Sequence, residues 1–160
     1  KLILNLLPCA IYDPAFEGDA LRRTLQDHQL QPSDVVLEIS ERESIENFAI
    51  FRELCDRYSE LGFQIAMDDV GAGYGSLEAV TELTPDYIKV DIAFIRAIDS
   101  DPARQAVLIA LNGIAQRIGA QIIAEGIETS EQFEKLKELG VPYGQGYFLG
   151  RATRFDPGDG

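Results

Sequence analysis

An alternating α/β fold built on a parallel sheet is what this sequence predicts, with a (β/α)8 barrel the better of two arrangements. Three observations carry that expectation. About six short apolar runs occur along the 160 residues, and each but the last is followed by a helical pattern. The runs are continuous instead of alternating in polarity, as parallel strands buried on both faces read. Five successive strands also finish on polar, mostly acidic side chains: Asn5, Glu38, the pair Asp68 and Asp69, Lys89 with Asp91, and Glu125. In a barrel all those ends face one mouth, where active sites lie. A doubly wound open sheet fits the alternation as well, but it spreads the ends along an edge. It also lacks its glycine fingerprint after the first strand. A closed barrel takes roughly 250 residues, so this chain supplies about six βα units, and the other two are expected on its N-terminal side.

The elements follow in order. "LILNL" (2–6) reads as a strand. Residues 17–29 carry Leu21 and Leu25 at helical spacing, and "PSD" introduces a second strand, "VVLEI" (35–39). Residues 43–61 form a strong helical stripe of Ile45, Phe48, Phe51, Leu54, Cys55, Tyr58 and Leu61, closed by Gly62. "FQIAM" (63–67) is the third strand, with Asp68 and Asp69 after it and a loop holding Gly71, Gly73 and Gly75 beyond. A short helix near 76–82 leads through Pro85 to "YIKV" (87–90). A helix near 102–118 stops at Gly119, and "QIIAE" (121–125) is the fifth strand. Ser130 opens a further helix, and "GQGYFLG" (144–150) is the last strand.

Composition narrows the chemistry. The formal net charge is −13, which argues against a grip on DNA or RNA polymers, since that needs Lys and Arg on the phosphates. A small phosphate ligand remains open, because bound cations invert the local charge. Two cysteines, Cys9 and Cys55, fit no metal spacing and read as reduced thiols of a cytoplasmic protein. One histidine, His28, sits in a polar helix end, so neither a His-rich metal site nor a His-based triad is expected. No run is long enough to span a bilayer, and no signal peptide is expected in "KLILNLLPCAIYDP". The chain starts without Met, which suits a piece of a longer protein.

The strand-end residues suggest a metal centre. Asn5, Glu38, Asp68, Asp69 and Glu125 offer oxygen ligands only, the set that hard cations such as Mg²⁺ or Mn²⁺ take. Converging carboxylates without cations repel one another, whereas two divalent ions about 3.5–4 Å apart neutralise them, and adjacent aspartates form a natural bridge. Lys89 then offsets charge or orients a water for an in-line phosphoryl displacement. Each feature alone has a plainer structural reading. Asp-Asp at a strand end is commonly a cap or turn, Lys89 an edge lysine, and glycines mark a tight turn. Their joint placement on one barrel face favours function.

Six ordered blocks then carry a resemblance: "NLLPCAIYDP", "LEISE", "MDDVGAGYGSL", "PDYIKVD", "IAEGIET" and "GQGYFLG". Together they strongly resemble the EAL domain, the cyclic di-GMP-specific phosphodiesterase module of bacterial signalling proteins, over residues 1–151, with 152–160 as a tail. The resemblance implies a TIM-like barrel and metal-dependent hydrolysis of cyclic di-GMP to linear pGpG with Mg²⁺ or Mn²⁺ in a two-metal site. It implies Asn5, Glu38, Asp68 and Asp69 as metal ligands, and Lys89, Glu125 and Asp69 in catalysis. It places Gln145 near substrate, and Glu41 as the anchor of the glycine-rich loop that couples the site to a dimer interface. A homodimer and an upstream sensor domain are implied too. Departures are Val70 for the usual Phe, Gly75 for Ser, Ala152 for Pro, and the absence of the Glu-Ala-Leu segment itself, which supplies a further metal-ligating glutamate. That absence keeps a catalytically silent cyclic di-GMP receptor or interaction module as the alternative. A different metal-dependent barrel, such as an enolising enzyme, has only fold and acid placement behind it.

Overall fold

The computed structural model describes residues 1–7, 18–40, 48–71 and 76–151. Its six strands are β1 (Leu2–Asn5), β2 (Val35–Ser40), β3 (Gln64–Val70), β4 (Tyr87–Val90), β5 (Gln121–Ala124) and β6 (Tyr143–Gly144). They form one sheet in sequence order, and every neighbouring pair is parallel. The helices are α1 (Gly18–Asp27), α2 (Phe48–Glu60), α3 (Ser76–Leu83), α4 (Ile92–Ile95), α5 (Pro102–Ile118) and α6 (Ser130–Glu138). Strictly sequential parallel order with a helix at each crossover is the barrel arrangement, and the six units make a partial one. A doubly wound sheet would reverse its strand order partway.

Burial follows the apolar runs. Val35, Leu37, Ile39, Ile65, Met67, Ile88 and Ile122 are almost fully buried on the strands. The buried stripe of α2, which packs against β3, is Phe51, Leu54, Cys55 and Tyr58. Tyr58 meets Phe63 edge to face at 5.6 Å between ring centroids. Gly62 closes α2 at φ +92°, a left-handed conformation that costs glycine little, and Phe63 N–H reaches back to the Tyr58 carbonyl. Asp101 caps α5 by accepting from Ala103 and Arg104 N–H, and Gly119 ends it at φ +82°. Among the described residues no helix is long and apolar enough to cross a membrane.

The structure departs from the sequence expectation in three places. The third strand runs to Val70, so Asp68 and Asp69 lie inside it and not after it. A one-turn helix, α4, is added where Asp91 accepts from Ala93 N–H. Ser130 opens α6 as expected, with Thr129 before it as the N-cap in a box with Gln132. The last strand is two residues long instead of seven. Beyond it the chain wraps the backbone of Ile127, which donates to the Gln145 carbonyl and accepts from Phe148 N–H. Those bonds take the groups a longer ladder would need.

Candidate metal and phosphodiester site

Strand register sets the site. Asn5 of β1 pairs with Glu38 of β2, and Ser40 pairs with Asp68 of β3. Side chains two apart on a strand share a face, so Glu38 and Asp68 point the same way from neighbouring strands. Between β3 and β4 the register is Met67 to Ile88 and then Val70 to Val90. Three steps on β3 therefore oppose two on β4, which is a β-bulge with Asp69 as its extra residue. Asp69 takes φ +60°, an uncommon value outside glycine. The bulge re-aims its side chain, and Asp69 joins Asp68 instead of pointing to the opposite face. One ligand oxygen each from Asp68, Asp69 and Glu125 lies within 4.8 Å of the others, while Val70 returns to the core.

Lys89 stands at the centre. It is 5% exposed, and its Nζ lies 2.7 Å from Glu38 Oε2, 2.8 Å from Asp68 Oδ1 and 2.8 Å from Glu125 Oε1. Burial opposes its charge, but hydrogen bonds to Asp68, Glu125 and Glu38 outweigh that and raise its pKa. Burial raises Glu38 and Glu125, with Lys89 pulling each the other way. Asp69 is raised by burial first, then by the charges of Asp68 and Asp91. Gln145 donates through Nε2 to Glu125 Oε1 at 2.5 Å.

Residues assigned from the sequence therefore fall into groups. Glu38, Asp68, Lys89 and Glu125 come together directly, and Asp69 joins them through the bulge. Asn5 is level with Glu38 across the sheet and exposed. Gln145 contacts Glu125. Glu41 and Gly73 lie outside the described residues. Sequence reasoning left Asp91 out of the site, yet its negative charge is among the causes that raise the Asp69 pKa. The signal was its position at the end of β4, one of five polar strand ends. The donor set fits hard divalent cations: it is all oxygen, and four carboxylates face one ammonium, a formal excess of three negative charges.

Comparisons with known proteins identify the family and the fold. The family model described as EAL domain matches residues 1–152. "Cyclic di-GMP phosphodiesterase RocR" of Pseudomonas aeruginosa is 37% identical over 151 residues, 94% of this chain and 38% of that protein. "Probable cyclic di-GMP phosphodiesterase PdeN" of Escherichia coli K12 is 34% identical over 158 residues, 98% of this chain and 30% of that protein. The Klebsiella pneumoniae BlrP1 structure, a complex with manganese and cyclic di-GMP, superposes with a TM-score of 0.85 at 34% identity, covering 92% of this chain and 38% of that one. The chain thus spans about a third of the length of these relatives.

Proposed function

Because this chain belongs to the EAL domain family, we propose that it carries a two-metal site that hydrolyses cyclic di-GMP to linear pGpG. The observation that carries the reading is the convergence on Lys89 of acids from three strand ends, Glu38, Asp68 and Glu125, with the bulged Asp69 beside them. Named relatives that are cyclic di-GMP phosphodiesterases, and a similar structure holding manganese with that dinucleotide, support it. Asn5, Glu38, Asp68 and Asp69 would hold Mg²⁺ or Mn²⁺, with Asp68 and Asp69 close enough to share ions. When bound, such ions neutralise the acids and act as Lewis acids on the phosphodiester.

The chain's own groups supply the rest. A water oxygen attacks phosphorus in line, the P–O3′ bond breaks as the departing O3′ takes a proton from solvent, and the 5′-phosphate stays on the linear product. Glu125, whose pKa is raised by burial, accepts the water's proton. Lys89 offsets charge growing on the phosphoryl oxygens. Gln145 holds Glu125 by its hydrogen bond and would contact the substrate. Residues 1–151 act as the domain, with 152–160 as a tail and Glu41 as the anchor of the loop after Gly71. The protein works as a cytoplasmic homodimer under an upstream sensor. Exposed Leu77 and Val107, lining an apolar cleft of about 260 Å³ beside Val70, support self-association. The silent-receptor alternative is not favoured, since the described acids and Lys89 are all in place.

The test is release of pGpG from cyclic di-GMP with Mn²⁺ or Mg²⁺, beside a version extended upstream by two βα units. Metal-dependent release that Glu125→Gln abolishes is expected. No release from either version overturns the proposal.

A further inference from the structure

We propose that Lys89 is the site's own exchangeable counter-cation: its ammonium gathers Glu38, Asp68 and Glu125 when no metal is bound, and divalent ions must compete with it for those oxygens. This rests on the metal-site reading above and goes beyond it, because it gives the lysine a task before any substrate or water arrives.

The geometry is that of a filled cation shell. An ammonium has three donors, and Lys89 Nζ has three carboxylate oxygens at 2.7, 2.8 and 2.8 Å, from three different acids. At 5% exposure it has little access to water that would satisfy it otherwise. An edge lysine, by contrast, would lay its stem on the surface and keep its head in solvent. Two of its three partners, Asp68 and Glu125, also belong to the group of acids whose ligand oxygens lie within 4.8 Å of one another. The ammonium and a divalent ion therefore draw on the same side chains.

Charge gives the consequence. Without metal, four carboxylates face one ammonium, and removing that ammonium would leave like charges only a few ångströms apart in a partly buried pocket. With two divalent ions present the balance inverts. The lysine then becomes surplus positive charge, available to the anionic phosphodiester. Lys89 thus keeps the empty site assembled and at the same time weakens its hold on metal. An ion pair serving only the fold would leave metal affinity unchanged.

The experiment compares the chain with K89M and K89R. Thermal melts follow metal stripping, and calorimetric titration uses Mn²⁺ alone at fixed pH. Metal-free K89M is expected to melt on the order of 10 °C lower and to bind Mn²⁺ about tenfold or more tightly. K89R, which retains the charge, stays within about threefold of the parent. Should K89M be unfolded without metal, refolding by Mn²⁺ in far-UV circular dichroism supports the proposal, and a chain that stays unfolded overturns it. K89M binding Mn²⁺ no more tightly than the parent, or K89R tightening as much as K89M, overturns it alone. A parent chain that binds no Mn²⁺ overturns the metal-site reading as well, so the two failures are distinguishable.

Discussion

Gln145 Nε2 donates to Glu125 Oε1 across 2.5 Å, and the same oxygen lies 2.8 Å from Lys89 Nζ. The glutamine is itself held on both sides. Its N–H reaches the Ala124 carbonyl at 2.8 Å, and its carbonyl accepts from Ile127 N–H at 3.0 Å. It therefore orients the Glu125 carboxylate from a fixed backbone. Gln145→Ala is expected to lower kcat roughly 10- to 100-fold, the range for groups that orient site residues, with KM little changed. A rise in KM alone, at full kcat, would restore Gln145 to a purely substrate-contacting role.

The bulge predicts a stability order at position 69. Asp69 holds φ +60° within a strand, where a left-handed L-residue pays roughly 1–2 kcal/mol. Glycine is free of that penalty. Urea unfolding without metal should find Asp69→Gly at least about 1 kcal/mol more stable than Asp69→Ala, although both lose the carboxylate. Equal midpoints would mean that the bulge relaxes when the acid is removed.

Asp68 contributes to both the ammonium shell and the cluster of ligand oxygens. Asp68→Asn keeps its volume and removes its charge. Isothermal calorimetry with Mn²⁺ should show affinity falling by about tenfold or more, the scale of a lost close charge. Affinity within twofold of the parent would remove Asp68 from the metal set.

Glycine at 126 is required by contact as well as by conformation. It takes φ +67°, and a Cβ there would overlap the side chain of Ile92 at the start of α4. Gly126→Ala should push α4 away from the Glu125 turn and cost roughly 2–4 kcal/mol by overpacking and strain together. Adding Ile92→Ala should recover part of that loss, the non-additivity expected of neighbours. Denaturant melts of the two single variants and the double variant check this, and strict additivity would point to backbone strain alone.

Burial pushes the Cys55 thiol up to about 12 from 9.0. Its folded pKa is raised, so its contribution to stability is fully present below pH 9.0 and is lost as pH rises through about 12. At pH 8 the thiolate is scarce and the side chain buried, so iodoacetamide should leave Cys55 unmodified in the native chain and modify it in denaturant. Peptide mapping separates it from Cys9. Rapid native labelling at Cys55 would contradict its burial.

Much of this protein is written in local pattern. Continuous apolar runs placed strands at 35–39, 87–90 and 121–125, to within a residue of those observed, because most side chains in them are buried on one face of the sheet or the other. Asp101 and Gly119 bounded the long helix α5 because caps act within one turn. The strand-end acids also marked the mouth, since parallel strands crossing in sequence order bring their ends to one side. Three things needed the tertiary structure. The bulge at Asp69 exists only in the pairing of β3 with β4, and no sequence period announces an extra residue in a ladder. The last strand stops at Gly144 because the distant Ile127 backbone takes the Gln145 carbonyl and the Phe148 N–H that a longer ladder would need. Lys89 was legible as a site residue only jointly with the acids, since alone it reads as an edge lysine, and Asp91 read as a strand terminus. Folding decided that the Lys89 ammonium contacts Glu38, Asp68 and Glu125 all at once, because those contacts join residues whose separation along the chain leaves no local trace.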